Sequence, residues 1–202
     1  MKLFYSPNSP FARKVLICAI ELDVDARIER IPVTPHPINR NQDLVALNPL
    51  GQVPTLKTAD GEVICDSRVI CEYLAALAAE QKVFPQGPRR FTALTEQSLC
   101  DGLLAACLSI RYERSTRPEA SRSAEWIGGQ MAKIESVLDE LNRRYAPPPA
   151  GFDIGHVSVA CVTGYLAFRF PEIELAPRWP NLAAYDAHMN ERPSFVETIP
   201  AG

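Results

Sequence analysis

Residues 5–16 read YSPNSPFARKVL, and the change of character inside this stretch decides the architecture. The apolar run KLFY (2–5) stops at Ser, Pro and Asn, and from Ser9-Pro10 the chain restarts with a different period. Apolar residues at Val15, Leu16, Ala19, Ile20 and Leu22 repeat as on a helix, not in the alternation of a strand. The fixed φ of Pro10 suits the first helical position. Ser9 then stands where an N-cap belongs, as a cap or as a hydroxyl presented to a ligand where strand becomes helix. Arg13 and Lys14 follow, adding positive potential, with at least one expected to face solvent.

Outward from this join, strands and helices continue to alternate. DARIERIPV (25–33) sets Ala26, Ile28 and Ile31 against charges and reads as a strand; a short helix near Arg40 to Leu47 comes next. VPTLKT (53–58) and GEVIC (61–65) flank Asp60-Gly61, a strong hairpin-turn signal. DSRVICEYLAALA (66–78) is helical, so residues 1–79 have the order βαβαββα. Strand signals then stop. Residues 93–115, 123–145 and 153–170 are long amphipathic or apolar helical runs, and residues 80–87 have the composition of a linker. The expected fold is an α/β domain, residues 1–79, followed by an all-helical domain, residues 88–202.

Composition narrows the function classes. The chain has 202 residues and a formal charge of -3, which excludes a strongly basic nucleic-acid footprint. The start MKLFYSPNSP lacks the apolar stretch of a signal peptide, and no apolar run reaches the length of a membrane span. A cytoplasmic protein with no nucleic-acid or membrane partner is expected. The six cysteines form no Cys-x-x-Cys pair and read as buried or half-buried free thiols. The three histidines have no ligand spacing, so no metal site is expected.

Two further stretches carry chemistry. In NPLGQVPTL (48–56), Pro54 begins a strand, where its missing N–H is tolerated. A cis Val53-Pro54 bond would turn the Val53 N–H and C=O outward; a trans proline opening an edge strand is the commoner arrangement. In ICDSRVICEYLA (64–75), Asp66 and Ser67 stand at a helix start. They either cap it, or offer its N–H groups to a carboxylate while Asp66 pairs with an ammonium.

Taken together and in this order, SPFARKV, NPLGQVPTL and DSRVICEYLA, followed by a helical half, resemble the glutathione S-transferase family over essentially the whole chain. SPNSPFARKV, DGLLAACLSIRYERSTRP and VSVACVTGYLAFR look most like a bacterial, YibF-like subgroup with a Ser-type active site. The resemblance implies a thioredoxin-like N-terminal domain with Ser9 contacting the glutathione sulfur and Tyr5 as the competing hydroxyl. Phe11 completes the family's Ser-Pro-Phe motif. It also implies that Val53 pairs its backbone with the cysteinyl part of glutathione, that Pro54 is cis, and that Asp66, Ser67 and Gln52 hold the γ-glutamyl end. Arg40 matches a position used for the glycyl carboxylate, or is simply solvated. Glutathione is the implied co-substrate, a homodimer the implied assembly, and detoxification of a small electrophile the implied role.

Leu104, Leu108, Arg111 and Tyr112 fall at helical spacing and are the candidate electrophile pocket, with core packing the alternative for the apolar pair. Asp101 is a pocket residue, or touches solvent or a dimer partner. Arg111, Arg114 and Arg117 form a basic face, solvated or attractive to an anionic electrophile. Asp153-Ile154-Gly155-His156 departs from the family's Ser/Thr-x-x-Asp capping box, and an effect on stability is expected from it. The zeta-class signature is absent. A Ser at position 9 cannot form a mixed disulfide, so a glutathione-dependent disulfide reductase or peroxidase ranks second. A non-catalytic binding protein on the same fold is the alternative from another class.

Overall fold

Strand β1 (Lys2–Tyr5) is the pivot of the N-terminal half in this computed structural model, which describes residues 1–80, 82–147, 149 and 151–200. Residue 81 of the expected linker and residues 148, 150 and 201–202 of the expected helical domain lie outside the described residues. β1 leads through Ser6-Pro7-Asn8 into α1 (Pro10–Glu21), then to β2 (Glu29–Pro32), α2 (Gln42–Leu47), β3 (Thr55–Lys57), β4 (Val63–Ile64) and α3 (Ser67–Leu77). The sheet order is β2-β1-β3-β4, with β1 parallel to β2 and antiparallel to β3, and β3 antiparallel to β4. This is the expected βαβαββα order.

Two boundaries shift. β2 begins at Glu29 because Asp25–Arg27 form a 3-10 turn. Ile28 and Ile31 are an odd number of residues apart, so one strand cannot keep both on the same face. α2 begins at Gln42, where the Asn41 side chain accepts from the Leu44 N–H at 3.0 Å. The β3–β4 turn closes as expected: Gly61 takes φ 95, and the Thr58 N–H donates to the Glu62 carbonyl at 2.8 Å.

The second half consists of α4 (Pro88–Thr116), α5 (Ala124–Arg144), α6 (Ile154–Arg169), α7 (Leu175–Arg178), α8 (Pro180–Met189) and α9 (Pro193–Val196). α6 is apolar nearly all round, and residues Ile154 to Thr163 are buried without a break, as a helix enclosed by others must be. It packs against α4, α8 and α1, while α1 also meets α3 and α9. The first helix of the α/β half is therefore shared by both halves.

The start of α6 explains its unusual cap. Asp153 accepts from the Gly155 N–H at 2.9 Å and the His156 N–H at 3.3 Å, and His156 Nδ1 accepts from the Asp153 N–H at 3.0 Å. His156 thus completes the reciprocal box in place of a carboxylate, with Nδ1 unprotonated. Burial alone pushes the Asp153 carboxyl up; Arg89, whose Nε donates at 2.8 Å, outweighs it and pulls it down to about 2. A depressed carboxyl stabilises the fold above its unfolded range near pH 4 and loses that contribution as pH falls toward 2. Between pH 5 and pH 2 the wild type should therefore lose about 2–3 kcal/mol through this group. Asp153→Asn should show a correspondingly smaller acid loss in urea unfolding; equal losses in the two proteins would exclude the linkage.

Candidate active site

The register of the sheet brings the candidate residues to one end. Phe4 is paired with Thr55, and Leu56 with Ile64, so the C-terminal end of β1, the start of β3 and the exit of β4 share an edge. Ser9 follows β1, Val53-Pro54 precede β3, and Asp66-Ser67 follow β4. A concavity of about 700 Å³ between Met1, Ala26, Lys57 and Gly61 opens at the opposite end of the sheet and includes none of these residues.

Ser9 is half-buried and caps α1: its Oγ accepts from the Ala12 N–H at 3.2 Å. Capping uses a lone pair of the oxygen and leaves the O–H proton to donate, so the cap is compatible with a ligand contact. Of the two expected roles, the structure shows the cap. Phe11, two residues on, is half-buried against the core. The Val53-Pro54 bond is cis, and the Val53 N–H and C=O take no hydrogen-bond partner among the described residues. Gln52 is exposed, while its backbone carbonyl accepts from Thr55 Oγ1 at 2.8 Å and Asn48 Nδ2 at 3.3 Å, fixing the approach to Pro54.

Asp66 is the N-cap of α3, accepting from the Arg68 N–H at 2.9 Å, and Ser67 is buried beside it. The Arg68 guanidinium also grips the Asp66 carboxylate, Nη2 to Oδ2 at 2.9 Å. Partial burial raises this carboxyl, but the bonds and charge of Arg68 prevail and hold it below the usual range. Arg40 is exposed and donates to the Pro49 carbonyl, bracing the loop before Gly51. Tyr5 ends β1, half-buried, its carbonyl accepting from the Val33 N–H at 2.8 Å.

The expectation of a solvent-facing Arg13 or Lys14 is corrected: both are buried. Lys14 Nζ donates to both oxygens of Asp101 on α4, at 2.6 and 2.9 Å. Arg13 reaches the Phe195 carbonyl on α9 at 3.2 Å and lies over the Phe195 ring. It also fills the space beside Gly164 on α6, where an added Cβ would fall 2.1 Å from its Nη1. Asp101 is accordingly half-buried in an ion pair between the two halves, not turned toward open solvent. Arg68 Nε approaches it at 4.0 Å, which links Asp66, Arg68, Asp101 and Lys14 in one charged chain. These partners are 87 residues apart for Lys14 and Asp101, and nothing in the sequence joins them.

Of the candidate electrophile residues, Leu104 belongs to the core, 1% exposed, and lines no open surface. Leu108, Arg111 and Tyr112 are half-buried farther along the same helix. Cys65 is exposed and the other five thiols are buried. Among the described residues no cluster has the makings of a metal site, and no helix is long and apolar enough to cross a membrane.

Comparison with known proteins gives a consistent picture. Residues 8–77 match the family description "Glutathione S-transferase, N-terminal domain", and residues 124–185 match "Glutathione S-transferase, C-terminal domain". The chain is 30% identical to the GST-like protein YibF of Escherichia coli K12, over 99% of this chain and 98% of the relative. It superposes on a glutathione transferase family member from Pseudomonas fluorescens Pf-5 with bound glutathione: TM-score 0.94, 34% identity, 100% and 99% of the two chains. A glutathione S-transferase from Methylobacterium radiotolerans in complex with glutathione sulfonate gives TM-score 0.91 and 32% identity, over 100% and 95%.

Proposed function

This chain belongs to the glutathione S-transferase family, and from that premise we propose that it binds glutathione at the Ser9 end of its sheet and activates the thiol for attack on a small electrophile. The observation that carries the reading is the convergence of Ser9, Val53-Pro54 and Asp66-Ser67 on one edge, with the Val53 backbone unpaired. The structure from P. fluorescens with bound glutathione and the one from M. radiotolerans in complex with glutathione sulfonate support it.

In this reading the cysteinyl backbone of glutathione adds to Val53 as a short antiparallel strand. The γ-glutamyl carboxylate meets the first turn of α3, and its ammonium shares the ionised Asp66 with Arg68. Gln52 contacts the same end, and Arg40 lies toward the glycyl end. The sulfur then lies at the N-terminus of α1. A free thiol with pKa near 8.5 is only a few per cent thiolate at neutral pH; the helix dipole and the Ser9 O–H both favour the anion. Ser9 donates a hydrogen bond and need not ionise. Residues 1–79 act as the glutathione-binding domain and 88–202 as the helical domain, joined by 80–87, in a cytoplasmic homodimer that detoxifies electrophiles. A disulfide reductase or peroxidase reading ranks second, because a serine at position 9 has no sulfur to exchange.

The test is a pH titration of the thiolate absorbance of bound glutathione. An apparent pKa well below that of the free thiol is expected. Saturable binding with an unshifted pKa would contradict activation, and no saturable binding would contradict the site. Asp66→Ala is expected to weaken glutathione binding by about tenfold, the loss of one charge-assisted contact; calorimetry showing unchanged affinity would remove Asp66 from the site.

A further inference from the structure

Arg111 and Arg114 lie in the last turns of α4 and Arg117 caps its end, and the structure separates them. Arg114 is paired with Glu172 at 3.1 Å and lies over the Phe170 ring; Arg117 is paired with Glu113 at 2.9 Å. Arg111, half-buried, takes part in no hydrogen bond or ion pair among the described residues. Across from it on α6 stands Tyr165, 1% exposed, whose hydroxyl is buried without a hydrogen-bond partner. One turn farther along α6 is Arg169, held below its usual range by burial and by the neighbouring Arg111 charge. A cation with no counter-charge on α4 and a buried donor with no acceptor on α6 are therefore electrostatic neighbours where the two helices pack. Each is unfavourable unless an acceptor arrives.

The seam leads toward Ser9. Lys14 on α1 is level with Asp101 on α4, and Arg13 abuts Gly164 on α6. Ser9 lies one turn before Arg13 on α1, Tyr165 and Arg169 follow Gly164 on α6, and Arg111 lies ten residues past Asp101 on α4.

We infer that the second substrate carries a carboxylate, which Arg111 and the Tyr165 hydroxyl receive at the Ser9 end of α1. This names the substrate class of the site proposed above and rests on that reading for its link to conjugation. A guanidinium gives a carboxylate short charge-assisted bonds, the Tyr165 O–H supplies a third donor, and Arg169 adds positive field. A neutral electrophile of the same shape would leave Arg111 and the Tyr165 hydroxyl unmet, which is how such a site discriminates.

The experiment compares the binding of 3-nitrobenzoate and of its methyl ester by calorimetry, with and without saturating glutathione. The wild type is expected to prefer the acid by about tenfold or more, as for a hydrogen bond to a charged group. Arg111→Met should abolish the preference, Arg111→Lys should keep part of it, and Tyr165→Phe should reduce it about threefold, the low end for one neutral donor. Circular dichroism checks that each variant is folded. Equal affinity for acid and ester in the wild type, or a preference that survives Arg111→Met, would overturn the assignment. The two readings fail separately: a shifted glutathione thiolate with equal affinities removes the carboxylate site alone, and a preference for the acid with an unshifted thiolate removes the transferase reading alone.

Discussion

Ser9→Ala is expected to lower kcat/KM for glutathione conjugation by about 10²–10³, the usual effect of removing one donor aimed at a developing or stabilised anion. Two roles of the same oxygen must be separated in that measurement. As the α1 cap, Ser9 accepts from the Ala12 N–H, and losing such a cap costs about 1 kcal/mol. In a chain of this size that is a fall of about 2–4 °C in Tm, too small to unfold the enzyme. The loss of activity should therefore appear in fully folded protein, together with a rise in the pKa of bound glutathione. Ser9→Thr keeps both the capping oxygen and the donor proton and should restore most of the activity. Undiminished turnover in Ser9→Ala would move the role to Tyr5, Asn8 or a backbone amide.

The second large effect concerns stability. Lys14→Met should destabilise the fold by about 3–5 kcal/mol, the penalty for stranding one member of a buried ion pair. Lys14 is 1% exposed and Asp101 15% at their side chains, with contacts of 2.6 and 2.9 Å. Burial opposes the charge on Lys14, yet Asp101 holds its ammonium above the usual range; burial raises the Asp101 carboxyl even against Lys14. Removing only the lysine leaves that carboxylate with Arg68 Nε at 4.0 Å as its remaining cation. Replacing both, as Lys14→Met with Asp101→Leu, should recover much of the loss, since an apolar pair of similar volume is often neutral or better. Urea unfolding of the two singles and the double gives the coupling directly. A loss below about 1 kcal/mol in Lys14→Met, as for an exposed pair, would show the pair to be dispensable.

What the sequence disclosed was what is local. The break at Ser6 to Ser9, the Asp60-Gly61 turn and the start of α3 at Asp66 depend on neighbours in the chain, and all were legible. So was the apolar character of α6. What it concealed depends on distant partners. Arg13 and Lys14 look like solvated cations because their companions, Phe195 and Asp101, lie 182 and 87 positions away. Leu104 and Leu108 share a helical spacing, yet one is enclosed and the other half-open, which packing alone decides. Arg111, Arg114 and Arg117 form a uniform series in sequence and become distinct only when Glu172 and Glu113 claim two of them. For Ser9 the sequence posed two alternatives, of which the structure shows the cap while the ligand role belongs to the proposal.

The sharing of α1 between the two halves bears on how such a protein can be cut and recombined. A fragment ending at residue 79 would keep the strands and the turn that holds Ser9. It would also carry a guanidinium and an ammonium on a face fashioned for α6 and α4, along with the apolar side chains around them. The first half has the outline of a detachable module but not its surface. Swapping in the helical half of another relative would succeed only where an acid stood opposite Lys14 and a gap beside Arg13, so recombination within the lineage is restricted to donors that already match at that seam.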